Sequence, residues 1–586
     1  MSAPETPYAA PADARRPDAA PRRVPASWAG TGTWAGTVVY WAVALAGTFL
    51  FYGAFLFSDR VGILDWGKDL FYFHFLYDSL RSFGRLPLSF LAIPTDITWF
   101  STLQDLSYWS NPEVISLSPL LPLAWVLPFM AFMKAYFGLH LLLAIAGVRL
   151  LARRAGLATG QAVVLLVLFL FNPWLVQHLA IGYSPQISLC LTPLLVALLV
   201  GRRFQPLAWA GASLVAAWIF YQGALHLFVW LCMAVGLFIA LDALLSRRAD
   251  VLWRAAFFFT GTVLLVSPKA YAVSKVYGGW TRIPAGGYGS LADIWGLLTD
   301  AVFPMFQFPE TYSKYNVAFY DGSLLVGAAF VLLVGWLTAE YLARLRQNDP
   351  RRLRDAACLL CASIFLVLGW GTVWRTVSHW LHLSSAEIYP FRFLFIAYNF
   401  LIFFVADRLG RFPVKTAARL RTLALYALLA STCLTFYGRN RELMPYLTEN
   451  PNFYGAFSIA DFYKDRIAAF AGDTRLPVTA TPTGVTIIPA GIPGQRMRLP
   501  WLPWKARGHY RFEGARPVAE APDGGTVIEV TASVRPVVVL PDDSHRFALL
   551  GFAALAFAAL FSVTVSLNRR RPGLFTAETL KEAHHA

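Results

Sequence analysis

The sequence predicts an all-α polytopic membrane protein with about twelve transmembrane helices and a small β-rich extracytoplasmic domain near its C-terminus. Three observations predict this. The 586 residues are 57% hydrophobic and 14% charged, too apolar for a soluble fold of that size. The apolar residues fall in blocks long enough to cross a hydrocarbon core of about 30 Å. Arginines gather in the connections between alternate blocks, the positive-inside pattern. That distribution also excludes nucleic acid as a partner, because the net charge of +16 is spread over short loops rather than gathered on one face.

Residues 1–36 are rich in Ala, Pro and Arg and read as a disordered cytoplasmic tail, too polar for a signal peptide. The predicted transmembrane domain is 37–437, with spans at 37–57, 135–152, 161–178, 186–201, 207–222, 224–245, 251–271, 319–343, 356–373, 392–407 and 422–437. Its outer loops are 58–134, 272–318 and 374–391. An extracytoplasmic α+β domain (438–545), a last transmembrane helix (546–567) and a cytoplasmic tail (568–586) complete the chain. With this parity the pairs Arg153-Arg154, Arg202-Arg203 and Arg247-Arg248 all face one side, as do the clusters around Arg351, Arg411 and Arg570. Both termini are then cytoplasmic. The apolar stretch 116–133 is broken by Pro119, Pro122 and Pro128. A full crossing there would invert every later loop, so a re-entrant or surface-lying piece is expected.

All five cysteines lie in apolar segments, which argues against a disulfide framework. Cys358 and Cys361 form a CxxC without a partner pair and read as helix filler.

The first outer loop concentrates chemistry. Asp65 and Asp69 stand four residues apart at the membrane boundary, where carboxylates are costly to bury. Phe73, Leu76, Leu80 and Phe83 recur at helical spacing, with Gly84 as a C-cap and Pro87 beyond. This predicts an amphipathic helix over 70–83 lying in the interface plane, with Asp69 at its N-terminus and the dipole lowering that carboxyl's pKa. Asp59, Asp78, Asp96, Asp105 and Glu113 add further acids, against Arg60, Lys68, Arg81 and Arg85. In the C-terminal domain, 453–471 reads as helix. From 477 onward the runs 485–489, 526–530 and 537–540 read as strands, with Asp523-Gly524-Gly525 as a turn signal.

Several stretches together resemble the GT-C class of multi-spanning glycosyltransferases, especially its bacterial YfhO-like branch. Residues 69–88 run from an Asp through an aromatic-rich helix to a Gly and a Pro-Leu turn, and resemble that class's first-loop pattern. Asn172-Pro173-Trp174 through His178 and Gly182-Tyr183, then Thr192-Pro193-Leu194-Leu195, resemble a second block, although the branch often carries Gly-His at 182–183. Pro390-Phe391-Arg392-Phe393-Leu394 resembles a third, and Leu502-Pro503-Trp504-Lys505-Ala506 the terminal β-domain pattern. The Trp-Asn-Pro of the class after the Pro-Leu turn is absent, the chain running Ser89-Phe90-Leu91.

The resemblance implies a GT-C-like fold in a bacterial inner (cytoplasmic) membrane. It further implies transfer of a sugar from a polyprenyl-phosphate carrier to a glycan, lipid or protein acceptor on the periplasmic face. A loop aspartate would serve as general base or metal ligand.

Such a reaction needs a carboxylate to take the acceptor's proton and cations beside the leaving phosphate. Asp69 and Asp65 are the candidates for the first role, against a plain reading as an N-cap or solvated acids. Arg392, Arg375, Lys275 and Arg282, all near outer span ends, are the candidates for the second. Snorkelling, or a pair between Arg392 and Glu387, is the plain alternative. Asp96 and Asp105 are candidate metal-binding or supporting acids, and a divalent cation is the one cofactor in view. His178, His226 and His379 read as packed interface histidines, with no zinc spacing among them. Two other functions share the composition. A flippase or transporter of lipid-linked glycans would show internal repeats and mid-membrane charge, and the sequence shows neither; a non-catalytic cell-envelope scaffold is the other alternative.

Overall fold

The computed structural model describes Trp34 to Arg570, apart from residues 64, 88–107, 201–204, 247–249, 278–286, 300–325, 345–351, 382–389, 410–415, 449–463, 465–466, 482–483, 488–491, 532–536 and 542–543. The predicted disordered tail therefore lies outside the described residues, apart from Trp34–Gly36, which open the first helix. So does most of the helix expected over 453–471. The end of that stretch, Ala469–Ala471, is instead a strand that turns at Gly472 and pairs with Thr474–Leu476.

The helices run in chain order as α1 (Trp34–Phe57), α2 (Trp66–Phe83), α3 (Leu123–Val126), α4 (Phe129–Ala155), α5 (Thr159–Leu170), α6 (Pro173–Ile181) and α7 (Thr192–Leu199). They continue as α8 (Pro206–Tyr221), α9 (Leu225–Ser246), α10 (Asp250–Tyr277), α11 (Leu291–Thr299), α12 (Gly327–Ala343), α13 (Arg352–Leu368) and α14 (Gly371–Trp380). The last are α15 (Phe393–Leu409), α16 (Thr416–Leu443) and α17 (Ser544–Arg570). Among the described residues eight helices are long and apolar enough to cross a membrane, and three shorter apolar ones (Ser184–Leu199, Pro206–Tyr221, Gly327–Ala343) accompany them. The protein is a polytopic membrane protein. The difference from about twelve lies in short elements: α13 opens with Arg352, Arg354 and Asp355, and the fourth predicted span is split between a 3₁₀ turn and α7.

The stretch 116–133 resolves into turns, the single-turn α3 and the start of α4, whose N-terminus is set by Pro128. No crossing helix forms there, and α4 begins within the predicted loop 58–134.

α5 and α6 form one broken rod. Asn172 caps α6, its Oδ1 accepting the Trp174 N–H at 2.7 Å, and Pro173 occupies the first turn. A break in apolar surroundings leaves carbonyls that need donors. Here Tyr398 Oη donates to Leu168 O, Tyr52 Oη to Leu170 O and Asn440 Nδ2 to Phe171 O, at 2.5, 2.5 and 2.8 Å.

At the end where the basic connections were predicted, carboxylates bind α12, α13, α15 and α16 together. Arg354 pairs with Asp407 at 2.9 Å and Arg408 with Asp355 at 2.5 Å, while Glu340 takes both Arg344 and Arg421. Removing one partner of such a buried pair leaves an uncompensated charge.

The C-terminal strands are β1 (Ala469–Ala471), β2 (Thr474–Leu476), β3 (Val478–Thr481), β4 (Gly484–Ile487), β5 (Arg496–Pro503), β6 (Tyr510–Glu513), β7 (Ala515–Glu520), β8 (Gly525–Val530) and β9 (Val537–Pro541). They form two antiparallel sheets, β2-β1-β5-β8-β7 and β3-β4-β9-β6. The three sequence runs are β4, β8 and β9, and Asp523-Gly524 turns β7 into β8.

Candidate active site

The site is built where the loop after α1 docks on the end of α6. Ile63 N donates to Ala180 O and Asp65 N to Ile181 O, each at 2.9 Å, and Trp66 Nε1 donates to Leu179 O at 2.6 Å. Gly182, left-handed at φ +90°, ends α6. A Cβ there would lie 2.0 Å from the Trp66 nitrogen, so the two backbones touch. Gly223, at φ +83°, meets the Glu113 backbone in the same manner, and Lys269 Nζ donates to Val114 O and Ser116 Oγ at 2.9 and 2.7 Å. The loop is thus fixed to α6, to the α8–α9 turn and to α10.

This docking changes what α2 is. The helix is buried on most of its circumference, Phe71, Tyr72, Phe73, Phe75, Leu76 and Leu80 all being enclosed. The expected interface-lying helix is therefore a core helix. The apolar spacing at Phe73, Leu76 and Leu80 is genuine, but Phe71, Tyr72 and Phe75 line the other face and the bundle covers them too. The C-cap falls as expected, Gly84 at φ +64°.

Asp69 sits in the first turn of α2 and is 1% exposed. Its Oδ2 accepts the backbone N–H of Ser184 at 2.8 Å. Burial pushes its carboxyl up to about 7, while the Lys68 charge and the Ser184 hydrogen bond pull down and Asp65 adds to the rise. The expected lowering by the helix dipole is overturned, because removing the carboxylate from water outweighs a partial charge at the helix end. Lys68 pairs with Glu113 at 2.7 Å. Burial disfavours its ammonium, but Glu113, Asp65 and Asp69 outweigh that and hold it charged. Asp65, half-buried, is the residue before the helix, and its carbonyl accepts the Asp69 N–H at 2.9 Å.

Arg392 arrives at the same corner from the other side of the bundle. It ends the 3₁₀ turn Pro390–Arg392 that leads into α15, and it is 4% exposed. Its Nη2 donates to Tyr183 Oη at 3.1 Å, and its guanidinium carbon lies 5.4 Å from that ring's centre. Asp69 and Arg392 are therefore held by consecutive residues, Ser184 and Tyr183. Around them stand His178, whose ring is 5.7 Å from Tyr183's, and His226, 3.4 Å from Gln186 Nε2. His178 Nδ1 lies 2.7 Å from Trp174 O.

The remaining candidates stand apart. Arg375 is exposed on α14, its Nε donating to Gly371 O at 3.3 Å, and Lys275 is exposed 5.3 Å from the Tyr271 ring centre. Among the described contacts neither reaches Asp69, Tyr183 or Arg392. Arg282, Asp96, Asp105 and Glu387 lie outside the described residues. Among the described residues no three His, Cys, Asp or Glu side chains gather in a metal-binding group. Asp69 is engaged by a backbone N–H, with a lysine beside it.

Sequence reasoning passed over Gly182, Tyr183 and Ser184 as parts of the site. A Gly-Tyr-Ser-Pro turn ending an Asn-Pro helix was the signal available, but nothing local says which loop would land on it.

Replacing Gly182 by Ala tests the corner. The left-handed backbone and the collision with Trp66 together are expected to cost about 1–3 kcal/mol and to displace Asp65–Asp69. Thermal unfolding in detergent reads the cost. Gly84→Ala, equally left-handed but with nothing within 4 Å of its Cβ, is the milder control, at about 1 kcal/mol.

No protein-family model matches the chain. No curated protein matches it in sequence. In structure it is similar to the arabinofuranosyltransferase AftD from Mycobacteria, at 16% identity and a TM-score of 0.45, over 73% of this chain and 28% of that one. A point mutant of AftD matches at 15% identity and a TM-score of 0.41, over 73% and 30%. The chain spans less than a third of the length of these structures.

Proposed function

We propose that the protein is a membrane glycosyltransferase that moves a sugar from a polyprenyl-phosphate donor to an acceptor hydroxyl on the extracytoplasmic face. The observation that carries the reading is one corner, residues 182–184, to which the buried Asp69 carboxyl and the buried Arg392 guanidinium are both tied. A carboxyl near neutral pKa and an enclosed cation are the two groups that glycosyl transfer from a lipid phosphate asks for.

In this reading Asp69 takes the proton of the acceptor hydroxyl as its oxygen attacks the anomeric carbon. The bond from that carbon to the phosphate oxygen breaks, and the phosphate leaves with the electron pair and the lipid. Arg392 balances the negative charge gathering on it. Lys68, paired with Glu113, keeps the Asp69 surroundings cationic enough for ionisation without taking the proton itself. The donor arrives activated, so the sequence needs no redox partner. The GT-C resemblance of 69–88, 172–195 and 390–394 supports the same assignment.

The test is reconstitution in vesicles with radiolabelled polyprenyl-phosphate sugar and a mixture of glycan and lipid acceptors. Label moving to acceptor with release of polyprenyl phosphate supports transfer. Label that changes leaflet without leaving its carrier overturns it in favour of a flippase.

A pH profile follows from Asp69. Its pKa of about 7 makes the ionised base about a tenth populated at pH 6, so transfer should rise about tenfold from pH 6 to pH 8 and then level. Stability runs the other way. The folded state holds the proton more tightly than the unfolded chain, whose value is 3.8. That contribution is complete below about pH 4 and is lost as pH rises through about 7. A flat rate across pH 6 to 8 would remove Asp69 as the base.

A further inference from the structure

We infer that Gln186 and His226, with the indole N–H of Trp230, hold hydroxyl groups of the transferred sugar beside Asp69 and Arg392. The inference rests on the glycosyltransferase reading and deepens it, by naming the groups through which one sugar is told from another.

Gln186 belongs to the same turn as the two residues that hold the corner. Its N–H donates to Tyr183 O at 3.0 Å, two residues after the Ser184 N–H that meets Asp69. It is 1% exposed, and its Nε2 lies 3.4 Å from His226 Nε2. Among the described residues the other end of that amide, Oε1, has no hydrogen-bond partner. Whichever end of the amide faces His226, the other is left unmatched. The ring of Trp230 lies 5.3 Å from that of His226 and is 2% exposed, and its Nε1 also has no partner among the described residues. Two enclosed polar atoms thus neighbour one imidazole. Burying such atoms without partners is costly. A hydroxyl gives one hydrogen and takes two, so it suits an amide, an indole N–H and an imidazole alike.

Position assigns these groups to the sugar. Asp69, Ser184, Gln186 and Arg392 are enclosed, whereas Tyr183 and His226 are half-buried with ring centres 6.4 Å apart. The corner is therefore accessible on the side of those two rings. In the proposed reaction the sugar lies between the hydroxyl that gives its proton to Asp69 and the phosphate at Arg392, so its remaining hydroxyls meet what surrounds that opening. A second glutamine–histidine pair, Gln222 Nε2 with His140 Nε2 at 2.6 Å, is enclosed at both members and reaches neither Asp69 nor Arg392 among the described contacts. A site that hydrogen-bonds a hydroxyl rejects the analogue that misplaces it, because its buried groups are then left unpaired.

Equilibrium binding to the full chain in detergent tests this, with radiolabelled polyprenyl phosphate and its glucose, mannose, galactose and arabinose conjugates as probes. The wild-type protein is expected to bind one conjugate at least about tenfold more tightly than the bare phosphate and than the other conjugates. Gln186→Leu and His226→Phe should each remove about tenfold of that preference and leave binding of the bare phosphate as it was, since Arg392 is untouched. Trp230→Phe, which keeps a ring and loses the N–H, should remove about threefold. Gln222→Met, which loses an enclosed amide elsewhere, should keep the preference. A wild-type protein that binds bare and sugar-bearing lipid alike would overturn the inference. So would a preference kept in both Gln186→Leu and His226→Phe, or a loss of bare phosphate as large as the loss of the conjugate. Binding of neither lipid by the wild-type protein would overturn the glycosyltransferase reading and the inference with it.

Discussion

Replacing Asp69 with Asn is expected to lower sugar transfer by about 10²–10⁴-fold, the usual contribution of a positioned general base, while leaving the protein folded. Asn is nearly isosteric, and its Oδ1 can still accept the Ser184 N–H that Asp69 takes at 2.8 Å. The corner therefore keeps its geometry and loses only the proton acceptor. Because the buried carboxyl holds its proton up to about pH 7, the wild-type protein carries an unfavourable buried charge above that pH and the variant does not. Asp69→Asn should thus be at least as stable as wild type at pH 8, and the pH dependence of stability between 4 and 7 should shrink. Loss of transfer together with that gain in stability separates a catalytic role from a structural one. Asp65→Asn is the companion, expected to retain most activity, since Asp65 is half-buried and stands one turn before the enclosed carboxyl. Full transfer in Asp69→Asn would end the proposal for this carboxylate.

The membrane class and the position of most of the long apolar helices could be read because they follow from local composition. A run of apolar residues is helical in lipid whatever surrounds it, since its backbone must satisfy itself. The C-cap at Gly84 and the strands at 485, 526 and 537 were legible for the same reason, each being set by a few adjacent residues. Asp69 stood out as a charged group where charge is costly. Its pKa, in contrast, could not be read. The dipole of α2 is a local property and predicts a lowered value, whereas the burial that raises it depends on distant segments such as the turn at Ser184, more than a hundred residues away. Helix α2 itself was misjudged for that reason. A helix bearing His74, Asp78, Arg81 and Arg85 reads as half-solvated, and the burial of Phe71, Tyr72 and Phe75 comes from the rest of the bundle. The meeting of Ser184 with Asp69, and of Tyr183 with Arg392, depends on Gly182 letting two backbones touch, and no pattern within either segment encodes the other.

The second large effect is expected at Arg392. Replacement by Gln should cost about 10²–10³ in kcat, the loss seen when one preorganised donor to a developing anion is removed. The guanidinium is enclosed and anchored to Tyr183 Oη at 3.1 Å, so a leaving phosphate would find it already desolvated and oriented, with no reorganisation to make at the moment of bond breaking. Arg392→Lys keeps the charge but not the planar fork, and should recover part of the rate. Tyr183→Phe removes only the anchor. It should lower kcat about three- to tenfold, the worth of one hydrogen bond, with the cation still in place. The distribution between constants decides the role. A cation that acts on the leaving phosphate lowers kcat with little change in KM, whereas one that merely collects the anionic donor raises KM and spares kcat. The pH profile supplies the control that a structural role would fail. In Arg392→Gln the surviving rate should still rise through about pH 7, because Asp69 and its Ser184 contact are untouched. A lost or displaced midpoint would mean that the corner itself has come apart.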